Sequence, residues 1–219
     1  HESASPDMVR ELSRRFSYEY PHSEAVCAKS KITATALAAG ETVRRAVFKR
    51  PQFIEDAGLS ATERGIALHL AMQMIDFSRC DTLAGVLGEL ARLRTGCFLS
   101  EAQADAISPT RIFAFFESPI GRAARSAKTC EREFHFSILT DEDNADDAPL
   151  LQGVVDLFFD DGDGITVLDF KSDRAPKDDV IAQYSRQLSI YADALARITE
   201  RPILHRVLFF LQDGKCVQC

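Results

Sequence analysis

Gly153-Val154-Val155-Asp156-Leu157-Phe158-Phe159 is followed, across Asp160-Asp161-Gly162-Asp163-Gly164, by Ile165-Thr166-Val167-Leu168-Asp169-Phe170-Lys171. Both flanks are β-branched or aromatic and the middle consists of turn formers, a pattern that predicts a β-hairpin. A loop of two or four residues pairs Leu157 with Leu168 and sets Asp156 directly opposite Asp169, with Cβ atoms roughly 4.5–5.5 Å apart. The two-residue period of a strand also puts Asp169 and Lys171 on one face, with Leu168 and Phe170 on the other. Two carboxylates and an ammonium therefore converge.

Like charges facing each other on a half-buried sheet are destabilising unless a cation lies between them, and a divalent ion meets that need. Such a site suits chemistry on phosphates, because the ion polarises a phosphoryl oxygen and acidifies water while a lysine orients the nucleophile. The plainer alternative is a hairpin with solvated acids near its turn. A calcium loop is excluded: with Gly164 as the sixth position of an EF-hand, positions one and twelve fall on Phe159 and Phe170, which offer no side-chain oxygen.

Beyond the hairpin, Gln187-Leu188-Ser189-Ile190-Tyr191 places Gln187 and Tyr191 on one face of a helix expected from about Tyr184 to Thr199, and Leu204 to Leu211 reads as a closing strand. Upstream, Ser60-Ala61-Thr62-Glu63 has the form of a capping box and opens a helix to about Phe77 that carries Arg64-Gly65 and His69. Gly65 permits close backbone approach there. By residue type alone His69 is either a nitrogen ligand or a core imidazole, and magnesium's preference for oxygen favours the latter. Glu131 to Ile138 alternates as a strand that would pair with the hairpin, with Phe134, Phe136 and Ile138 on one face and Glu133 beside His135 on the other.

Asp156 with Asp169-Phe170-Lys171 resembles the D…D-x-K pattern of the PD-(D/E)xK nucleases. Glu63-Arg64-Gly65-Ile66-Ala67-Leu68-His69 and Gln187-x-x-x-Tyr191 resemble the R-G-x-x-x-H and Q-x-x-x-Y helices of their RecB-like branch. Lys29 to Leu37, Arg132 to Ser137 and Leu151 to Asp156 look like the C-terminal nuclease region of the A subunit of AddAB (RexAB) helicase–nucleases. The resemblance runs from about Lys29 to Gly214. It implies an α/β, restriction-endonuclease-like core, a mixed central sheet flanked by helices, with a helical insertion over about 78–128. It further implies catalysis by Asp156, Asp169 and Lys171, and metal ligation by His69, Asp156, Asp169 and the Phe170 carbonyl. Gln187, Tyr191 and Glu133 would position substrate, Glu133 being by residue type equally a surface acid. The ion would be Mg2+, with Mn2+ able to substitute, and no iron–sulfur cluster is expected. The substrate would be single-stranded DNA delivered from a duplex end, in the processing of double-strand breaks. The implied partners are upstream helicase domains of the same polypeptide and a B subunit. Ser172 stands where the family commonly has threonine, and the hydroxyl is kept.

At 219 residues and 46% hydrophobic content, the chain can bury one sizeable core. Residues 1–30 show little periodicity and read as a linker or the start of a fragment, with the domain over 31–219. No long apolar run or export signal occurs, so no membrane is involved and a cytoplasmic location is expected. A net charge of −7 argues against gripping nucleic acid by bulk electrostatics, although the acidic run over 141–147 reads as a solvated loop that skews the total. No G-x-x-x-x-G-K-[ST] loop is present, so these residues are not expected to hydrolyse ATP by themselves, and the resemblance implies a motor upstream. Six scattered cysteines suit reduced thiols, and Cys216 with Cys219 make an incomplete ligand set for a cluster. Helices are expected at Asp81–Leu93, Ser100–Ala106 and Ser108–Glu117, serving packing. Arg111, Arg122, Arg125 and Lys128 form a solvated basic face or touch phosphates at a rim. Two other classes stay open: a catalytically silent module of the same fold that binds DNA or a partner, and a cluster-bearing RecB-like nuclease of CRISPR-adaptation type.

Overall fold

Six strands form one mixed sheet in the computed structural model, which describes residues 5–19, 21, 30–39, 59–140, 148–174 and 178–219. They are β1 (Lys31–Thr33), β2 (Thr129–Leu139), β3 (Leu150–Asp160), β4 (Ile165–Lys171), β5 (Ile203–Phe210) and β6 (Lys215–Gln218). Eight helices occur among the described residues: α1 (Pro6–Phe16), α2 (Ala34–Ala38), α3 (Ala61–Met74), α4 (Leu83–Thr95), α5 (Glu101–Ala106), α6 (Pro109–Glu117), α7 (Pro119–Ser126) and α8 (Asp178–Thr199). The acidic run over 141–147 lies outside the described residues.

The hairpin has the expected register, with Leu157 against Leu168 and Asp160 against Ile165, and a four-residue loop. Gly162 takes φ +114°, open to glycine at little cost. Arg201 clamps the turn by gripping both Asp160 oxygens at 2.9 and 3.1 Å and donating to the Gly162 carbonyl at 2.7 Å.

What positions the site is a fork. β2 pairs along one edge of β3 at every position from Leu150 to Asp160 except Asp156, while the other edge is shared: Leu150 to Gln152 pair with β1 and Leu157 to Asp160 with β4. Residues 153–156 lie where that second edge has no ladder. The expected pairing of Asp156 with Asp169 therefore stops one step short, at Leu157 and Leu168, and side-chain bonding takes over. From β4 the chain crosses through α8 to the parallel strand β5, and β6 returns antiparallel.

Alternation reverses phase at the fork. Val155 packs toward α8 but Leu157 toward the helical layer, although strict period two would put both on one side. In β2, Phe134 faces α8 while Cys130 faces the helices. Two cores result. Phe115 sits at the centre of the helical one, with its ring 5.0 Å from those of Phe170 and Phe209 in edge contacts. The other is built from Leu188, Tyr191 and Leu195 of α8 on Val167 and Leu208.

Several local expectations are met and some are corrected. Both capping boxes form, Ser60 with Glu63 and Ser100 with Gln103, and Pro109 opens α6. Within residues 1–30, Pro6–Phe16 is helical, capped by Ser5 with Pro6 in its first turn. Within 78–128 there is one more helix than expected, α7, opened by Ser118-Pro119. α8 starts at Asp178 rather than near Tyr184; acidic residues suit a helix N-terminus, a signal the apolar stripe does not carry. Glu89, only 2% exposed, fastens the turn after α3: it accepts from the Asp76 N–H at 3.0 Å and from Arg92 at 2.8 and 2.9 Å.

Candidate metal centre

Asp156 is the hub. Its Oδ2 accepts a 2.8 Å hydrogen bond from the Phe170 N–H, so a carboxylate replaces the missing rung of the β3–β4 ladder and is thereby oriented. The same oxygen lies 3.4 Å from Nδ1 of His69. α3 brings that imidazole in, and it comes this near because Gly65 has no side chain: a Cβ there would stand 3.1 Å from the Ser172 hydroxyl at the end of β4.

Glu133 completes the group from β2. The antiparallel ladder of β2 and β3 pairs Arg132 with Leu157 and Phe134 with Val155, which sets Glu133 opposite Asp156, yet that pair is missing. Glu133 has φ +50°, a conformation that costs a non-glycine residue on the order of 1 kcal/mol and is characteristic of functional positions. One donor atom from each of His69, Glu133 and Asp156 lies within 4.8 Å of the others.

Asp169 and Lys171 share a face, as the strand period predicts. Lys171 Nζ stands 2.6 Å from Asp169 Oδ2 and 4.1 Å from the centre of the Tyr184 ring, which fixes the ammonium between carboxylate and aromatic face. Asp169 Oδ2 is buried, and the Lys171 ammonium is the cation that meets it.

The electrostatics are those of crowded acids. Burial, then the Asp156 charge, pushes the Asp169 carboxyl up to about 6 despite the adjoining lysine. Burial and the same neighbour raise Glu133. Burial lowers the His69 imidazole, but Asp156 and Asp169 outweigh it and hold the group above its ordinary value. Every shift has the sign that a cation among these groups would relieve. The residues fit a hard divalent ion: the grouped donors are two carboxylates and one imidazole, with no thiol among them, and the buried Asp169 carboxylate lies beside them.

Gln187 and Tyr191 point at each other. The Gln187 amide donates to the Tyr191 hydroxyl at 2.6 Å and to the Thr35 hydroxyl at 3.4 Å. Tyr191 is 4% exposed, its ring edge-on to Phe136, and burial pushes its hydroxyl up to about 12. The Phe170 side chain is buried in the helical core, so only its backbone faces the site's chemistry. Tyr184 and Thr35 have roles that sequence reasoning misses. Tyr184 lies three residues before Gln187 on the same helical face, a spacing that was available as a signal. The site opens into a cavity of about 600 Å³ that His69, Glu133, Gly65 and Ser172 help to line.

A family model described as the PD-(D/E)XK nuclease superfamily matches residues 40–217. The A subunit of the ATP-dependent helicase/nuclease of Desulforamulus reducens is 32% identical, over 96% of this chain and 19% of that protein. The protein of the same name from Bacillus cytotoxicus is 30% identical, over 94% of this chain and 19% of its own length. That from Anoxybacillus flavithermus is 30% identical, over 91% and 18%. The chain thus spans about a fifth of the length of these curated relatives.

Proposed function

This chain belongs to the PD-(D/E)XK nuclease superfamily, and we propose that it is the metal-dependent DNA-cleaving domain, an exodeoxyribonuclease, of the larger chain of a helicase–nuclease. The observation that carries this reading is the meeting of His69, Glu133 and Asp156 beside the buried Asp169–Lys171 pair. Asp156, Asp169, His69 and the Phe170 carbonyl would hold Mg2+, or Mn2+ in its place, with Glu133 at hand as a further acid. When bound, such an ion supplies Lewis acidity to a phosphoryl oxygen and acidifies a neighbouring water.

The chain's own residues do the rest. Lys171 orients the attacking water and offsets charge developing on the phosphate, a task for which Asp169 and Tyr184 hold its ammonium in place. The Phe170 N–H keeps the Asp156 carboxylate turned into the site. Gln187 and Tyr191 tie α8 to Thr35 of α2 and to Phe136 of β2, and the Gln187 amide is the polar group that would touch DNA.

The substrate in this reading is single-stranded DNA delivered from a duplex end, during the processing of double-strand breaks for recombinational repair in the cytoplasm. Helicase domains of the same polypeptide and a B subunit would supply the strand, and ATP hydrolysis would reside with them. No helix among the described residues is long and apolar enough to cross a membrane. No iron–sulfur cluster is part of the proposal. The test is magnesium-dependent digestion of single-stranded DNA by the wild type, Asp169→Ala and Lys171→Ala proteins. Loss of cleavage in both variants supports the assignment; equal cleavage by all three rejects it.

A further inference from the structure

A second cavity of about 570 Å³ adjoins the first, and the two share Ala61, Ser172 and Asp173. Its walls carry Arg64, Arg111 and Arg174. In a chain of net charge −7, three guanidinium groups around one opening mark a local reversal of sign. Asp173 is the single carboxylate among the lining residues. Arg111 is steadied by Gln212, whose side-chain oxygen accepts from it at 2.9 Å, and among the described residues none of the three arginines is in an ion pair with a carboxylate. Two helices begin at the cleft, α3 at Ala61 and α6 next to Ser108, and the positive ends of their dipoles add to the potential.

Resting on the nuclease reading above, we infer that this arginine cleft seats the phosphate backbone of the DNA strand beside the bond that is cut. Arg64 and His69 stand five residues apart on α3, about 7.5 Å along its axis. A stacked strand rising about 3.4 Å per nucleotide covers that distance in about two nucleotides. Guanidinium forks match phosphate oxygens two at a time and read no base, so the cleft holds the strand without sequence preference. It also explains how an acidic domain keeps hold of a polyanion: the cations are few and are gathered where the strand leaves the site.

The test needs no cleavage. Binding of a fluorescent oligothymidylate is measured in calcium over a range of salt, for the 219-residue chain and for Arg64→Gln/Arg174→Gln, with Arg10→Gln/Arg14→Gln on α1 as a charge-matched control. The cleft double variant is expected to bind more weakly, with the slope of log affinity against log salt shallower by about 1.4, two phosphate contacts' worth. The control is expected to follow the wild type. Equal slopes for the wild type and the cleft variant, or the same loss in the control, overturn the inference. If the wild type fails to cut DNA in magnesium yet the cleft variant alone shows the shallower slope, the nuclease reading falls and the cleft stands.

Discussion

Glu133 and Asp156 face each other across β2 and β3 at the only position where the ladder between those strands is interrupted. The left-handed backbone of Glu133 is what opens the gap, and the side-chain alternation of both strands reverses there. Strain of this kind persists only where the surroundings enforce it.

Replacing Glu133 by glycine should therefore relieve the backbone. Glu133→Gly is expected to stabilise the metal-free protein by about 1 kcal/mol and to weaken its response to divalent ions, whereas Glu133→Gln keeps the strain and loses only the charge. Thermal melts of the three proteins with and without manganese check this; a melting temperature for Glu133→Gly below that of the wild type counts against it.

Asp169, 5% exposed, is ion-paired through Oδ2 with the Lys171 ammonium at 2.6 Å. At neutral pH in a chelator, Asp169→Asn is expected to melt lower than wild type, since it removes one partner of a largely buried ion pair and leaves the Lys171 ammonium unpaired, a loss on the order of a few kcal/mol. Adding a divalent ion at about a hundred times its dissociation constant should stabilise the wild type by about 2.7 kcal/mol and leave the variant nearly unmoved. Parallel shifts in both proteins would place the ion elsewhere.

Lys171 is held by Asp169 on one side and by the Tyr184 ring on the other. Lys171→Ala should slow cleavage on the order of a hundred- to a thousandfold and, by leaving the buried Asp169 without its cation, lower the melting temperature as well. Tyr184→Leu, which frees the ammonium without removing it, should cost about 5- to 10-fold. Single-turnover rates on a labelled strand distinguish these; a Tyr184→Leu rate equal to wild type removes the ring from the account.

Glu89 ties the turn after α3 to α4. Burial raises its carboxyl, but the Arg92 guanidinium, the Asp76 N–H and Arg79 outweigh that and hold it below the ordinary glutamate value. The unfolded chain then binds the proton more readily than the folded one. The stabilisation is full above the unfolded value and is lost as pH falls through the folded one, so acid unfolding below about pH 4.3 should include it. Glu89→Gln is expected to lose about 2–3 kcal/mol at neutral pH and to show a flatter acid limb in urea melts recorded against pH.

Gly153 lies under the α8 core, where a Cβ would stand 2.6 Å from the Phe136 ring and 3.1 Å from that of Tyr191. Gly153→Ala should cost about 1–3 kcal/mol by overpacking and, by displacing Tyr191, disturb the Gln187 contact. Denaturant midpoints give the first effect and the affinity for single-stranded DNA the second.

Whatever is local in this protein was legible in the order of its residues. Turn formers between two β-branched runs fixed the hairpin and its register, period two put Asp169 beside Lys171, and Ser60 and Ser100 marked their helix starts, because each of these depends on neighbours a few residues away. What meets Asp156 was settled by the assembled fold alone. The fork in β3 depends on β1 and β4 sharing one edge, the reversal of alternation on a left-handed Glu133, and the approach of His69 on the contact between Gly65 and Ser172. Arg64, Arg111 and Arg174 are likewise scattered along the chain and become one cleft only when α3, α6 and the end of β4 pack together. Pairings between distant segments are chosen by the burial of whole faces, and no short window of sequence contains that information.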